Sequence, residues 1–200
     1  SLLLLRLSGR CSCSVILLSG SLLVVVDRLG HGFALNLDWA LWNAARKGRL
    51  DEIESLLDRH ANVNAADTSG ITPLHLASMN GRHRSVELLL DRNANVDPAD
   101  GNNNTPLDWA SRNGRHQCVE LLLDRHANIN AVDTINYTPL HWASRYGRHR
   151  CIKVLLDRHA NINAVDKSNN TPLHLTSRGS HRQCIEILID HGASKSITNV

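Results

Sequence analysis

The sequence predicts an all-α solenoid, a linear stack of helix-turn-helix units with projecting hairpin loops. Three observations carry that prediction. The tripeptide Thr-Pro-Leu begins at Thr72, Thr105, Thr138 and Thr171, each 33 residues from the last. A fixed period of this length marks architectures in which each unit covers the apolar face of its neighbour. Each copy also carries start and stop signals for two short helices. Finally, 42% of the 200 residues are hydrophobic but only 4% are aromatic, which favours a core of Ala and Leu on helices.

Counting back one period from Thr72 reaches Trp39, where "WALWNAARKGRLDEIESLLDRHANVN" matches in register without the Thr-Pro. Five units follow, 39–71, 72–104, 105–137, 138–170 and 171–200, within a repeat domain set at 37–200. The fourth unit shows how one folds. Thr138 has a hydroxyl to cap a helix, and Pro139 suits the first helical position because its missing N–H has no partner there anyway. Leu140, Ala143 and Ser144 share one face of that helix, and Gly147 ends it in a left-handed conformation. Cys151, Ile152, Leu155 and Leu156 then form one face of a second helix. Helices this short are not stable alone in water, so stacking is obligatory.

Thr-Pro-Leu-His at a period of 33, in four in-register copies, resembles the ankyrin repeat, and the resemblance covers about four-fifths of the chain. It implies L-shaped units of two antiparallel helices and a hairpin, a protein-binding role and no catalytic residues. Departures from the family pattern are also legible. The glycine usual after the second helix is replaced by His60, Asn93, His126 and His159, and is kept only at Gly192. Near the start of the next unit, Gly70 is followed in later copies by Asn103, Asn136 and Asn169. Asn and His tolerate the positive φ expected at both places better than most residues. Asp108 replaces the motif histidine in the third unit, putting the usual Thr–His contact in question there. The last unit reads "RGSH" for "RYGRH", so its first helix is expected to end early.

Several apparent chemical signals are products of the period. "GRHRCIKVLLDRHANIN" offers histidines, a cysteine and side-chain oxygens, yet His149 and Cys151 stand two apart on a helix and point to nearly opposite sides. Cys118, Cys151 and Cys184 are themselves 33 apart. They predict a buried ladder spaced too widely for disulfides, and act as small hydrophobes. No Cys-x-x-Cys pair, nucleophile–base pairing or phosphate-cradling loop stands above this background, so neither enzyme activity, metal nor cofactor is expected. The asparagines before Thr-Pro-Leu create N-x-Thr sequons as a by-product of the motif. A net charge of +3, from 22 basic and 19 acidic residues, argues against a nucleic-acid binder. Cysteine usage fits a reducing, intracellular setting, cytoplasm or nucleus.

Residues 1–36 differ in kind. The stretch 11–26, "CSCSVILLSGSLLVVV", has no charge and approaches the length of a membrane span. It reads as a poorly ordered leader, as a membrane or targeting segment, or as a segment packed on the first repeat. A membrane-anchored protein using 11–26 is therefore the alternative reading. Val24–Val26 and the nearby glycines weigh against a helix there. Glu52, where later units have Ser or Cys, suits a terminal cap. At the other end Ile185, Leu188 and Ile189 keep the internal pattern, and the natural protein is expected to continue.

The resemblance places a partner on the hairpin tips and the exposed side of the first helices. By register this gives Met79, Asn80, Trp109, Arg112, Asn113, Ile135, Tyr137, Trp142, Arg145, Tyr146 and Arg178. One row reads Arg46, Met79, Arg112, Arg145, Arg178. Aromatics with arginine are what binding hot spots use, and such a row favours an acidic protein surface or peptide. The competing reading makes the tryptophans core filler and the arginines solvated. The repeat domain is expected to be monomeric, an adaptor or scaffold.

Overall fold

The computed structural model describes residues 37–194 and, before them, the strand backbones of 4–6, 14–18, 22–26 and 32–35. Ten helices occur among the described residues, in five antiparallel pairs. They are α1 (Leu37–Lys47) with α2 (Leu50–Asp58), α3 (Pro73–Met79) with α4 (His83–Asp91), and α5 (Pro106–Arg112) with α6 (His116–Asp124). The series ends with α7 (Pro139–Arg145) and α8 (His149–Asp157), then α9 (Pro172–Arg178) and α10 (Arg182–Asp190). First helices touch first helices and second helices touch second helices along the stack.

The core is one continuous cluster with the period of the sequence. Leu41, Leu74, Leu107 and Leu140 line it from the first helices, and Leu89, Leu122, Leu155 and Leu188 from the second; all are fully buried. Cys118, Cys151 and Cys184 lie buried as free thiols in the same cluster. Burial in apolar surroundings pushes the Cys118 thiol up to about 11 and Cys151 to about 12, so both stay protonated and behave as small apolar groups.

Thr72, Thr105 and Thr138 adopt extended N-cap backbone and accept from the amide three residues on, with proline at the first helical position. The motif histidine ties the first helix to the last residue of its own unit, directly before the next unit's cap. His75 Nδ1 accepts from the Thr72 amide at 3.1 Å, while its Nε2 reaches the Asn104 carbonyl oxygen at 3.1 Å. His141 repeats the arrangement with Thr138 and the Asn170 carbonyl. Burial lowers the pKa of both histidines, which suits neutral rings with the proton on Nε2. At Asp108 the Thr contact survives in another form: Oδ2 accepts from the Thr105 amide and hydroxyl, both at 2.8 Å.

The positive-φ positions fall where Asn and His replace glycine: His60, Asn93, Asn103, His126, Asn136, His159 and Asn169 all have φ between 58° and 64°. One expectation fails. α9 has the same seven residues as α3, α5 and α7, because Gly179 stays helical in backbone and Ser180 takes the left-handed conformation at φ 55°. The stack holds the chain in register, and the misplaced glycine does not shorten the helix.

Between residues 4 and 35 the described backbone forms a four-stranded antiparallel meander, β1 (Leu4–Arg6), β2 (Ser14–Leu18), β3 (Leu22–Val26) and β4 (Gly32–Leu35), in that order. Leu17 pairs with Leu23 and Val24 with Ala34. The uncharged stretch 11–26 thus contains two strands in its described part; residues 11–13 and 19–21, with Cys11 and Cys13, lie outside the described residues. The β-branched run at Val24–Val26 favours extended backbone. Among the described residues no helix is long and apolar enough to cross a membrane.

Candidate functional site

Met79, Arg112, Arg145 and Arg178 are the last residues of α3, α5, α7 and α9. The following repeat holds this row by its backbone. Arg82 Nε donates to the Arg46 carbonyl at 3.3 Å, Arg115 Nε to Met79 at 3.2 Å and Arg148 Nε to Arg112 at 3.1 Å. His181 Nε2 takes the same place 3.2 Å from the Arg145 carbonyl. Glycine makes room for this staple: at Gly114 (φ 73°) an added Cβ would lie 3.0 Å from Arg148 Cδ. The recurrent Gly-Arg-His of the sequence is therefore an inter-repeat clasp that fixes the row.

Arg112 is the centre of the site. Its guanidinium carbon lies 5.2 Å from the Trp109 ring centroid, 4.9 Å from Trp142 and 5.2 Å from Tyr146. Trp109 belongs to the same helix, whereas Trp142 and Tyr146 come from the next repeat and stack nearly parallel at 17°. The cation is drawn to the negative ring faces, each exposed contact being worth about 0.5–1 kcal/mol. Trp109 is itself oriented by its indole N–H, which donates to Asp100 Oδ2 at 3.0 Å. Arg145 Nη1 donates to the Tyr137 hydroxyl at 3.1 Å, a bond that raises the arginine pKa further. A side-chain hydrogen bond to Tyr146 acts on Arg145 in the same direction.

The other predicted residues divide. Tyr137, placed by register at a hairpin tip, is buried, and Trp142 follows the core-filler reading. They are 5% and 9% exposed, meet edge to face at 4.9 Å, and form a small second core with Leu175. They support Arg112 and Arg145 from beneath. Trp109 and Met79 are half-buried, and Ile135 and Tyr146 are exposed. Asn80 and Asn113 spend their amide donors at 2.8 Å on the Leu76 and Trp109 carbonyls at the ends of their own helices. The tip of the third hairpin is anchored on both sides: Thr134 donates its amide to the Asn102 carbonyl, and the Ile135 carbonyl accepts from Lys167.

Just after α4, α6 and α8 an arginine meets a carboxylate of the preceding unit: Arg92 with Asp58 at 2.8 Å, Arg125 with Asp91 at 2.8 Å and Arg158 with Asp124 at 2.7 Å. Among the described residues Arg112, Arg145 and Arg178 form no ion pair. Sequence reasoning missed the exposed Val132 and Val165 on the hairpins, where the two preceding units have Ala66 and Ala99. That small-to-large change along one register position was the available signal. It also missed the asparagine ladder in "ANVN" and "ANIN", where Asn95 donates its amide to Asn64 Oδ1 and Asn161 to Asn130 Oδ1.

The family model of ankyrin repeats in three copies matches residues 41–133 and 126–199. The chain belongs to the ankyrin-repeat family. Among curated proteins none matches it. Ankyrin repeats are generally modules for protein–protein interaction and are typically non-catalytic.

Proposed function

We propose that this ankyrin array is a non-catalytic adaptor or scaffold that holds an acidic segment of a partner protein against its first-helix and hairpin face. The repeat domain is taken as 37–200, preceded by a separate segment 1–36. One observation carries the reading: among the described residues Arg112 is stacked among three rings and has no carboxylate partner, while Arg92, Arg125 and Arg158, at the ends of the second helices, are each paired. A guanidinium held flat in this way loses little rotamer freedom on binding, and its fork matches a carboxylate. Arg145 and Arg178 continue the row, and exposed Ile135 and Tyr146 supply apolar contact beside it. The curvature of a solenoid turns such a row into an extended concave surface. An intracellular setting, cytoplasmic or nuclear, suits the three free thiols.

The test uses a labelled Asp/Glu-rich peptide and a Lys-rich control of equal length. The parent chain should retain the acidic peptide alone. Changing Arg112, Arg145 and Arg178 together to Ala should weaken retention by about tenfold or more, since charge-assisted hydrogen bonds are worth about 1.5–3 kcal/mol each. Changing Arg92, Arg125 and Arg158 to Ala should leave it nearly unaltered. Equal loss in both triple variants would reduce the effect to net charge and refute the assignment. Retention of an oligonucleotide in place of the peptide would redirect the face to nucleic acid.

A further inference from the structure

The motif position that ties the first helix to the end of its own unit, directly before the next unit's cap, is a histidine in the second and fourth units and Asp108 in the third. His75 and His141 each place Nε2 3.1 Å from a carbonyl oxygen 29 residues ahead. The carbonyl in the matching register for Asp108 is that of Tyr137. Asp108 Oδ2 is used by Thr105, but Oδ1 is buried without a partner, in a residue only 1% exposed. An ionised carboxylate is an acceptor only and offers nothing to a carbonyl; a protonated one donates.

The two Thr105 bonds to Oδ2 favour the ionised form, but burial outweighs them and the charged groups nearby also disfavour ionisation. Asp100 and Asp133, at the roots of the two flanking hairpins, are both close enough to repel a negative Asp108. On the helices packed against α5, the groups at this level are His75 from α3 and His141 from α7, both kept neutral by burial. From α6 the buried titratable group is Cys118, protonated. The nearest cation on α5 itself, Arg112, is turned onto aromatic rings.

We propose that Asp108 makes the joint between α5 and the chain at Tyr137, which leads directly into the fourth repeat, proton-controlled: the neutral carboxylic acid lets α5 close on that segment, and its ionisation loosens the two. Burial, together with Asp133 and Asp100, pushes this carboxyl up to about 7. In the open joint it returns to about 3.9. The folded value is the higher one, so the closed joint is fully favoured below about pH 4 and loses that advantage as pH rises to about 7. One proton is released on opening in that window, which multiplies the opening constant by at most about tenfold per pH unit. Trp109 and Arg112 stand on one side of this joint and Trp142 and Tyr146 on the other. If the proposed binding face is correct, the same proton therefore governs its assembly. The joint itself does not depend on that reading.

The experiment is amide hydrogen exchange on the full chain at pH 5 to 8, corrected for intrinsic rates and followed at 105–112 and 134–146. Parent, Asp108→Asn and Asp108→His are compared. From pH 5 to 7.5 the opening constant of these segments should rise at least about tenfold in the parent relative to Asp108→Asn. Protonation of His75 and His141 affects both chains alike and cancels in that ratio. Asp108→His should reverse the sign and open toward acid, like the neighbouring joints. An equal pH response of parent and Asp108→Asn overturns the proposal. Should the Asn variant fail to fold, Asp108→His decides, because alkaline loosening that persists in it overturns the proposal equally. Peptide retention is not read, so failure here leaves the Arg112 face untouched, and failure of that face leaves the joint untouched.

Discussion

Two kinds of joint coexist in one stack. In the fourth repeat, His141 spans Thr138 at the start of the unit and the Asn170 carbonyl at its end, where the fifth begins. In the third, Asp108 satisfies Thr105 and leaves an oxygen buried without a partner. The apolar layers behind the two are alike, with Leu122, Leu155 and Leu188 all fully buried. The difference shows that a solenoid takes most of its cohesion from the repeated apolar face and puts its individuality into a few polar positions. At the aspartate joint the missing bridge coincides with a new element, the Arg112 stack, which crosses the same boundary.

The largest effect should come from the shared part. Leu122→Ala and Leu155→Ala should each cost about 2–5 kcal/mol in urea unfolding, because each leaves a cavity in the same continuous core. Losses that differ by more than about 2 kcal/mol between them would move the distinction between joints from the polar layer into the core. His141→Ala comes next, at about 1–3 kcal/mol, since it leaves the buried Thr138 amide without its acceptor and removes the tie to the Asn170 carbonyl. It should also flatten the acid limb of stability. The folded pKa of His141 is lowered, so its contribution is fully present above about pH 6.5 and is lost as pH falls toward the folded value. A melting temperature whose acid dependence is unaltered in this variant would break the contrast with Asp108.

Arg112→Ala should cost about 1–2 kcal/mol and change tryptophan emission, because Trp109 and Trp142 both lose the cation. Unchanged emission would mean that the stack does not persist in solution. The smallest effect belongs to Arg158→Ala, which removes an ion pair between half-exposed groups across the same joint. About 0.2–1 kcal/mol is expected, shrinking at high salt.

Much of this was readable residue by residue. Asn103, Asn136 and Asn169 stand where a left-handed residue is required, and their identity alone signalled it. Cys151 was legible as core because it shares a helical face with Ile152 and Leu155. The site was less legible. Trp142 and Tyr137 look like surface aromatics by register, yet they turn inward onto Leu175 of the next unit. The direction of a side chain on a shared boundary depends on the neighbour's shape, which a one-dimensional pattern does not contain. Nor did the period speak for the described residues between 4 and 35, which lie outside it and form strands.

By itself the sequence determined the period, the caps, the left-handed turns and the apolar spine, because each follows from backbone sterics or helical spacing within about one repeat. Tertiary structure alone decided which arginines are neutralised and which are stacked and free, and that Asp108 stands buried between two other carboxylates. Those outcomes depend on distances between groups of different repeats, and electrostatic energy is set by separation and burial, neither of which is written in the order of residues.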